Sequence, residues 1–121
     1  DCDVLDADGG TRTASINGAW IALNETFNNL VEQKKLVQNP LTNQIAALSV
    51  GIVDGEFIAD LDYEKDSSAE VDLNLVLNDN FEILEIQGTA EQKPFSKEDL
   101  DKLFEMTKDE VNKVFDVQKN V

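Results

Sequence analysis

Two stretches of the chain carry residue types able to do chemistry. The first is Asp8-Gly9-Gly10-Thr11-Arg12-Thr13. Paired glycines permit positive φ and a close approach to the main chain. A helix starting directly after them would offer free backbone N–H groups and the positive end of its dipole, which together suit an anion. Thr11 or Thr13 adds a hydroxyl donor, and Arg12 a planar guanidinium matched to phosphate. The Gly-Lys-Ser/Thr ending of a Walker loop is missing. On pattern alone the same residues also make an ordinary helix start, with Gly-Gly as the turn and a threonine as the cap.

The second stretch runs from Asp54 to Asp72 and holds eight carboxylates and one lysine. A hard divalent cation such as Mg²⁺ takes oxygen ligands and keeps several waters, so one or two carboxylates suffice to hold it. Asp66 falls in a loop, Glu64 to Glu70, and Asp72 on the polar side of the strand that follows. A loop doubling back would bring the two to one ion. The plain alternative is a solvated acidic face.

Absences narrow the chemistry. The chain has no histidine and one cysteine, Cys2. Histidine-activated serine or cysteine nucleophiles are excluded, as are a Cys/His zinc site and an internal disulfide. A lone cysteine with no signal-like opening segment fits a reducing cytoplasm. The longest apolar stretch, Ile45 to Val53, is about half of a membrane span. Twenty-five acidic against ten basic residues leave a net charge of −15, which argues against independent nucleic-acid binding.

The elements that must position these residues follow from periodicity. At 121 residues the chain makes one domain with a modest core. Asp1 to Asp6 reads as the end of a strand. Ile16, Trp20, Leu23, Phe27, Leu30 and Val31 recur at helical steps, with Asn17, Asn24, Glu25, Asn28 and Glu32 on the opposite side. Gly18 within that helix implies a close neighbour. Asp54-Gly55 between Ile45–Val53 and Phe57–Leu61 is a hairpin signal. Val71, Leu73, Leu75 and Leu77 alternate with polar residues as in a half-buried strand, and Asn78-Asp79-Asn80 turns into a strand over Phe81 to Gln87. Ser96 and Asp99 form a capping box, with a Phe95–Leu100 staple, for a final helix buried through Leu100, Leu103, Phe104, Thr107, Val111, Val114 and Phe115. The expected class is α+β, an antiparallel sheet with helices packed on one face.

At these residues the chain resembles a known family. The string DCDVLDADGGTRTASINGAW, then LSVGIVDGE, DLDYEKDSSAEVDLN, EIQGTAE and PFSKEDL, is similar in order and spacing to the second half of the ribonuclease PH family, in its bacterial form. The resemblance implies one half of the RNase PH fold (ribosomal protein S5 domain 2-like), with the first half absent from this chain. It implies a phosphate-dependent 3′-to-5′ exoribonuclease, or tRNA nucleotidyltransferase, that trims tRNA precursors at the 3′ end and releases nucleoside diphosphates. Gly10, Thr11 and Arg12 match the family's phosphate-binding segment, and Asp66 and Asp72 its catalytic, metal-binding pair for Mg²⁺ or Mn²⁺. Its members assemble as homo-hexamers, trimers of dimers, around RNA, with no membrane partner. Asp6 and Asn17 depart from the pattern, which has Gln at the first and Thr or Ser at the second. The alternative is a non-catalytic structural subunit of a ribonuclease PH-like or exosome ring. In either case this segment alone is expected to be inactive and to need its missing half or a companion chain.

Overall fold

A computed structural model describes residues 1–121. Helix α1 (Thr11–Glu32) leads to strands β1 (Ile45–Val53) and β2 (Glu56–Ala59), a short helix α2 (Tyr63–Ser68), strands β3 (Val71–Asn78) and β4 (Ile83–Ala90), and helix α3 (Lys97–Lys119). The four strands form one antiparallel sheet in the order β2-β1-β3-β4.

The hairpin forms where the sequence placed it. Asp54 and Gly55 both take positive φ, 50° and 77°, the pair of left-handed residues that matches the twist of the flanking strands. In β1, Ala46, Leu48, Val50 and Ile52 lie opposite Leu77, Leu75, Leu73 and Val71 of β3. These eight side chains share one sheet face and join Leu103, Val111 and Phe115 of α3 in a single buried cluster. Its amphipathic stripe therefore decides where α3 lies, and its start is fixed by the capping box: Ser96 Oγ accepts from the Asp99 N–H, and the Asp99 carboxylate from the Ser96 N–H. Such a box contributes about 1 kcal/mol.

Helix α1 is held mainly at the sheet's edge. β2 pairs only with Val50 to Val53 of β1, so the earlier half of β1 has no strand on that side. Asn17 fills the gap: its amide accepts from the Ala47 N–H (2.7 Å) and donates to the Ala47 carbonyl (2.9 Å), as a strand neighbour would. Gln118 of α3, itself buried, continues the edge by donating to the Ile45 carbonyl at 2.9 Å. Asn17 was expected among the solvent-facing residues of α1, and the structure turns it inward. A bare edge of buried backbone needs a partner more than the surface needs another amide.

Four other expectations are corrected. Asp1 to Asp6 forms no strand, pairs with no neighbour and lies exposed, because extended backbone needs a partner strand to be satisfied. Glu64 to Glu70 is mostly the helix α2, started by Asp62, whose side chain accepts from the Lys65 N–H. The last strand begins at Ile83 and runs to Ala90. Asn78 accepts from the N–H groups of Asn80 and Glu82, and Phe81 sits at φ 59° inside that turn. Gly18 is exposed with open space around it, so no close packing explains it.

Candidate active site

The turn before α1 is built for an uncapped helix end. Gly10 occupies the N-cap in the left-handed region, and no side chain caps it. The first intrahelical bond runs from the Ala14 N–H to the Gly10 carbonyl, leaving the N–H groups of Thr11, Arg12 and Thr13 without a backbone acceptor. No acidic residue stands in the first turn. These are the features of an anion-binding helix terminus. Thr13 is excluded as the hydroxyl donor to such an anion, because it is buried and donates to the Gly10 carbonyl at 2.9 Å. Thr11 remains. Asp6 adds no carboxylate to the turn's interior: it is exposed and accepts from the Ala7 N–H.

Arg12 leaves the same turn in the other direction. Its guanidinium donates to Glu85 of β4 at 2.6 Å, with the two side chains 53% and 37% exposed. A pair this open adds about 0.2–1 kcal/mol to stability, too little to explain the fold. Sequence reading gave no sign of it, since the partners stand 73 positions apart.

The acidic pair sits on the sheet face opposite the core. Asp72 lies across from Gly51 of β1 and Thr89 of β4, out of phase with Val71 and Leu73 as the alternation requires. Its Oδ1 is buried and has no hydrogen-bond partner. Burial pushes the Asp72 carboxyl above its ordinary range, and the adjacent Asp66 carboxylate, then Glu91, push it further. Asp66 comes from α2, on the chain just before β3. The Asp66 carboxylate is thereby near enough to Asp72 to raise its carboxyl further. No cluster of three or more potential ligands forms. A buried, orphaned carboxylate oxygen beside a second carboxylate is an arrangement that a hard cation would satisfy.

Gly9 joins the two places. A Cβ there would stand 2.8 Å from the Asp62 carbonyl carbon, the Leu61 oxygen and the Tyr63 nitrogen. The turn into α1 therefore rests on the start of α2, the helix that carries Asp66. A cleft of about 370 Å³ on the Val114 side of this turn is lined by Asp8, Asp60 and Asp62, carboxylates that suit it poorly to an anion.

The fold, a four-stranded antiparallel sheet with two long helices, can be set against known proteins, and the comparison says which family the chain belongs to. The profile of the 3′ exoribonuclease family, domain 2, matches residues 43–110, and the chain belongs to that family. It is 52% identical over 119 residues to ribonuclease PH of Synechococcus sp. (strain CC9605), covering 98% of this chain and 48% of that protein. The chain thus spans about half the length of the curated relative it matches. Its fold is shared with rice (Oryza sativa) Rrp46, at a TM-score of 0.73 and 19% identity over 96% of this chain and 49% of that one. It is also shared with the Archaeoglobus fulgidus exosome with RNA bound to the active site, at a TM-score of 0.59 and 20% identity over 84% of this chain and 40% of that one. No helix is long and apolar enough to cross a membrane.

Proposed function

We propose that this chain is the half of a phosphorolytic 3′-to-5′ exoribonuclease that carries the phosphate and metal sites, acting on the 3′ ends of tRNA precursors. The observation supporting the reading is the contact of Gly9 with the Asp62 backbone, which ties the uncapped start of α1, with Arg12 in its first turn, to the start of the helix that carries Asp66. The first half is supplied by the remainder of a longer chain or by a companion, and the working form is a homo-hexameric ring.

Inorganic phosphate is the co-substrate, held by the backbone N–H groups of Thr11 and Arg12, the Thr11 hydroxyl and the Arg12 guanidinium. One of its oxygens attacks the phosphorus of the last phosphodiester. The bond to the 3′-oxygen of the preceding nucleotide breaks, giving a nucleoside diphosphate and an RNA one nucleotide shorter with a free 3′-hydroxyl. Phosphate is already anionic near neutral pH, so a chain without histidine has no base to supply. The obstacle is repulsion between two anions, and the helix terminus and Arg12 offset the charge of the nucleophile. Asp66 and Asp72 would hold Mg²⁺ or Mn²⁺, whose charge would stabilise negative charge at the scissile phosphodiester or leaving oxygen. Positioning and electrostatics carry the rate.

The test is phosphorolysis. RNA with a tRNA 3′ extension, incubated with the protein containing both halves, should release nucleoside diphosphates only when phosphate and a divalent cation are added. Absence of diphosphate under those conditions would leave the structural-subunit reading standing.

A further inference from the structure

We propose that Glu85 is a positioning residue for phosphate use: it fixes the Arg12 guanidinium beside the α1 terminus so that the anion meets a fork already in place. The inference rests on the reading of Arg12 as a phosphate ligand.

Across the strands, Ala47 lies opposite Val76, and Val76 opposite Glu85, in one row. Helix α1 touches that row at two points. Asn17 bonds both backbone groups of Ala47, and Arg12 bonds Glu85. The first contact fixes the helix along the β1 edge, and the second fixes where its first-turn arginine points. Without Glu85, a long and rotamer-rich side chain more than half exposed has no other protein partner to direct it.

The geometry leaves Arg12 free to act. Only one guanidinium nitrogen, Nη2, is engaged, through one carboxylate oxygen. Arginine carries five N–H donors, so most of the fork stays available for an anion while the tether holds. An exposed ion pair contributes little to folding, and placing a bare carboxylate near an anion site would otherwise be unfavourable. Its position fits orientation of Arg12 better than support of the sheet. Alternation along β4 sets Glu85, Gln87 and Thr89 on the face that also bears Asp72, so the tether acts on the side of the sheet where the reaction is placed.

The experiment compares Glu85→Ala, Glu85→Gln and Arg12→Ala, singly and as a Glu85→Ala/Arg12→Ala double variant, in the protein containing both halves. Glu85→Ala should raise the KM for phosphate about 3- to 10-fold, with kcat and the KM for RNA changed less than about twofold. Glu85→Gln, which keeps a hydrogen-bond acceptor, should recover most of the loss. The double variant should be no worse than Arg12→Ala, whose phosphate KM rises more strongly. A phosphate KM that Glu85→Ala leaves unchanged or lowers, while Arg12→Ala raises it, would overturn the role of Glu85 alone; a lowered value would mean that Glu85 competes with phosphate. If Arg12→Ala itself leaves the phosphate KM unchanged, the phosphate reading of Arg12 fails, and the Glu85 inference falls with it. A drop in melting temperature with unchanged phosphate KM would mark Glu85 as merely structural.

Discussion

Gly9 lies against the backbone of Asp62 with no space for a side chain between them. Gly9 also holds φ at 77°, where a Cβ is strained whatever its surroundings. Gly9→Ala therefore meets both penalties at once. It should lower the melting temperature and, on the proposed reading in which this contact sets the phosphate and metal sites, reduce kcat/KM by at least about tenfold. Thermal melts and phosphorolysis rates of the two-half protein check it. Gly55→Ala, at the same φ of 77° but with open space around it, should strain its turn without the loss of activity.

The acidic pair makes a prediction readable without catalysis. If Asp66 and Asp72 share a divalent cation, added Mg²⁺ or Mn²⁺ should raise the melting temperature, since a ligand that binds only the folded state stabilises it. Asp66→Asn and Asp72→Asn should keep the fold, lose most of that metal-dependent rise, and abolish turnover. A rise that survives in both variants would place the cation elsewhere.

Asn17 should be one of the costlier polar residues to remove. Asn17→Ala leaves the N–H and carbonyl of Ala47, a residue with no exposed surface, without partners. Each such group costs about 1–3 kcal/mol, so urea melts should show a loss of about 2–6 kcal/mol. Asn17→Thr or Asn17→Ser, which can satisfy part of this edge, should fall between.

Asp62 and Asp99 predict an acid limb of stability. At Asp62 the Lys65 backbone N–H, and at Asp99 the Ser96 backbone N–H, hold the carboxyl below its ordinary value of 3.8. A depressed folded value means that their contribution is complete above 3.8 and is lost as pH falls through the lowered values. An Asp62→Asn/Asp99→Asn variant keeps side-chain acceptors but no charge. Its melting temperature should fall less than the parent's between about pH 5 and pH 2.

The lone 121-residue chain should not bind RNA. Six of its ten basic residues, Arg12, Lys65, Lys93, Lys97, Lys108 and Lys113, are already paired with carboxylates, and RNA affinity is built largely on cations. Purified alone it should show no phosphate-dependent release of diphosphates, and adding the first half should restore it. Activity in the folded lone chain would show that the essential residues lie within these 121.

Much of this was legible in sequence because the signals were local. Asp54-Gly55, the alternation from Val71 to Leu77 and the Ser96–Asp99 box each determine their geometry within a few residues, and each appears where expected. The same holds for Gly10 at the start of α1. What stayed hidden depends on distance along the chain. Asn17 finds Ala47 thirty positions away, Gln118 reaches Ile45 across 73, and Arg12 reaches Glu85 across 73. No periodicity encodes such pairs. The Asp1–Asp6 stretch shows the converse: its strand-like composition has no effect without a neighbour to bond.

β4 is the outer strand of the sheet, and Ile83, Leu84 and Ile86 on it are about half exposed. Its one charged residue, Glu85, is neutralised by Arg12. An open row of main-chain donors and acceptors, flanked by isoleucine and leucine and lacking a free charge, is a template for joining another strand. What keeps two such edges apart is then the net charge of −15 spread over the remaining surface, a long-range repulsion rather than a local guard. Repulsion of that kind fades once the screening length drops to about 3 Å in molar salt. Concentrated salt should therefore turn this bare edge adhesive.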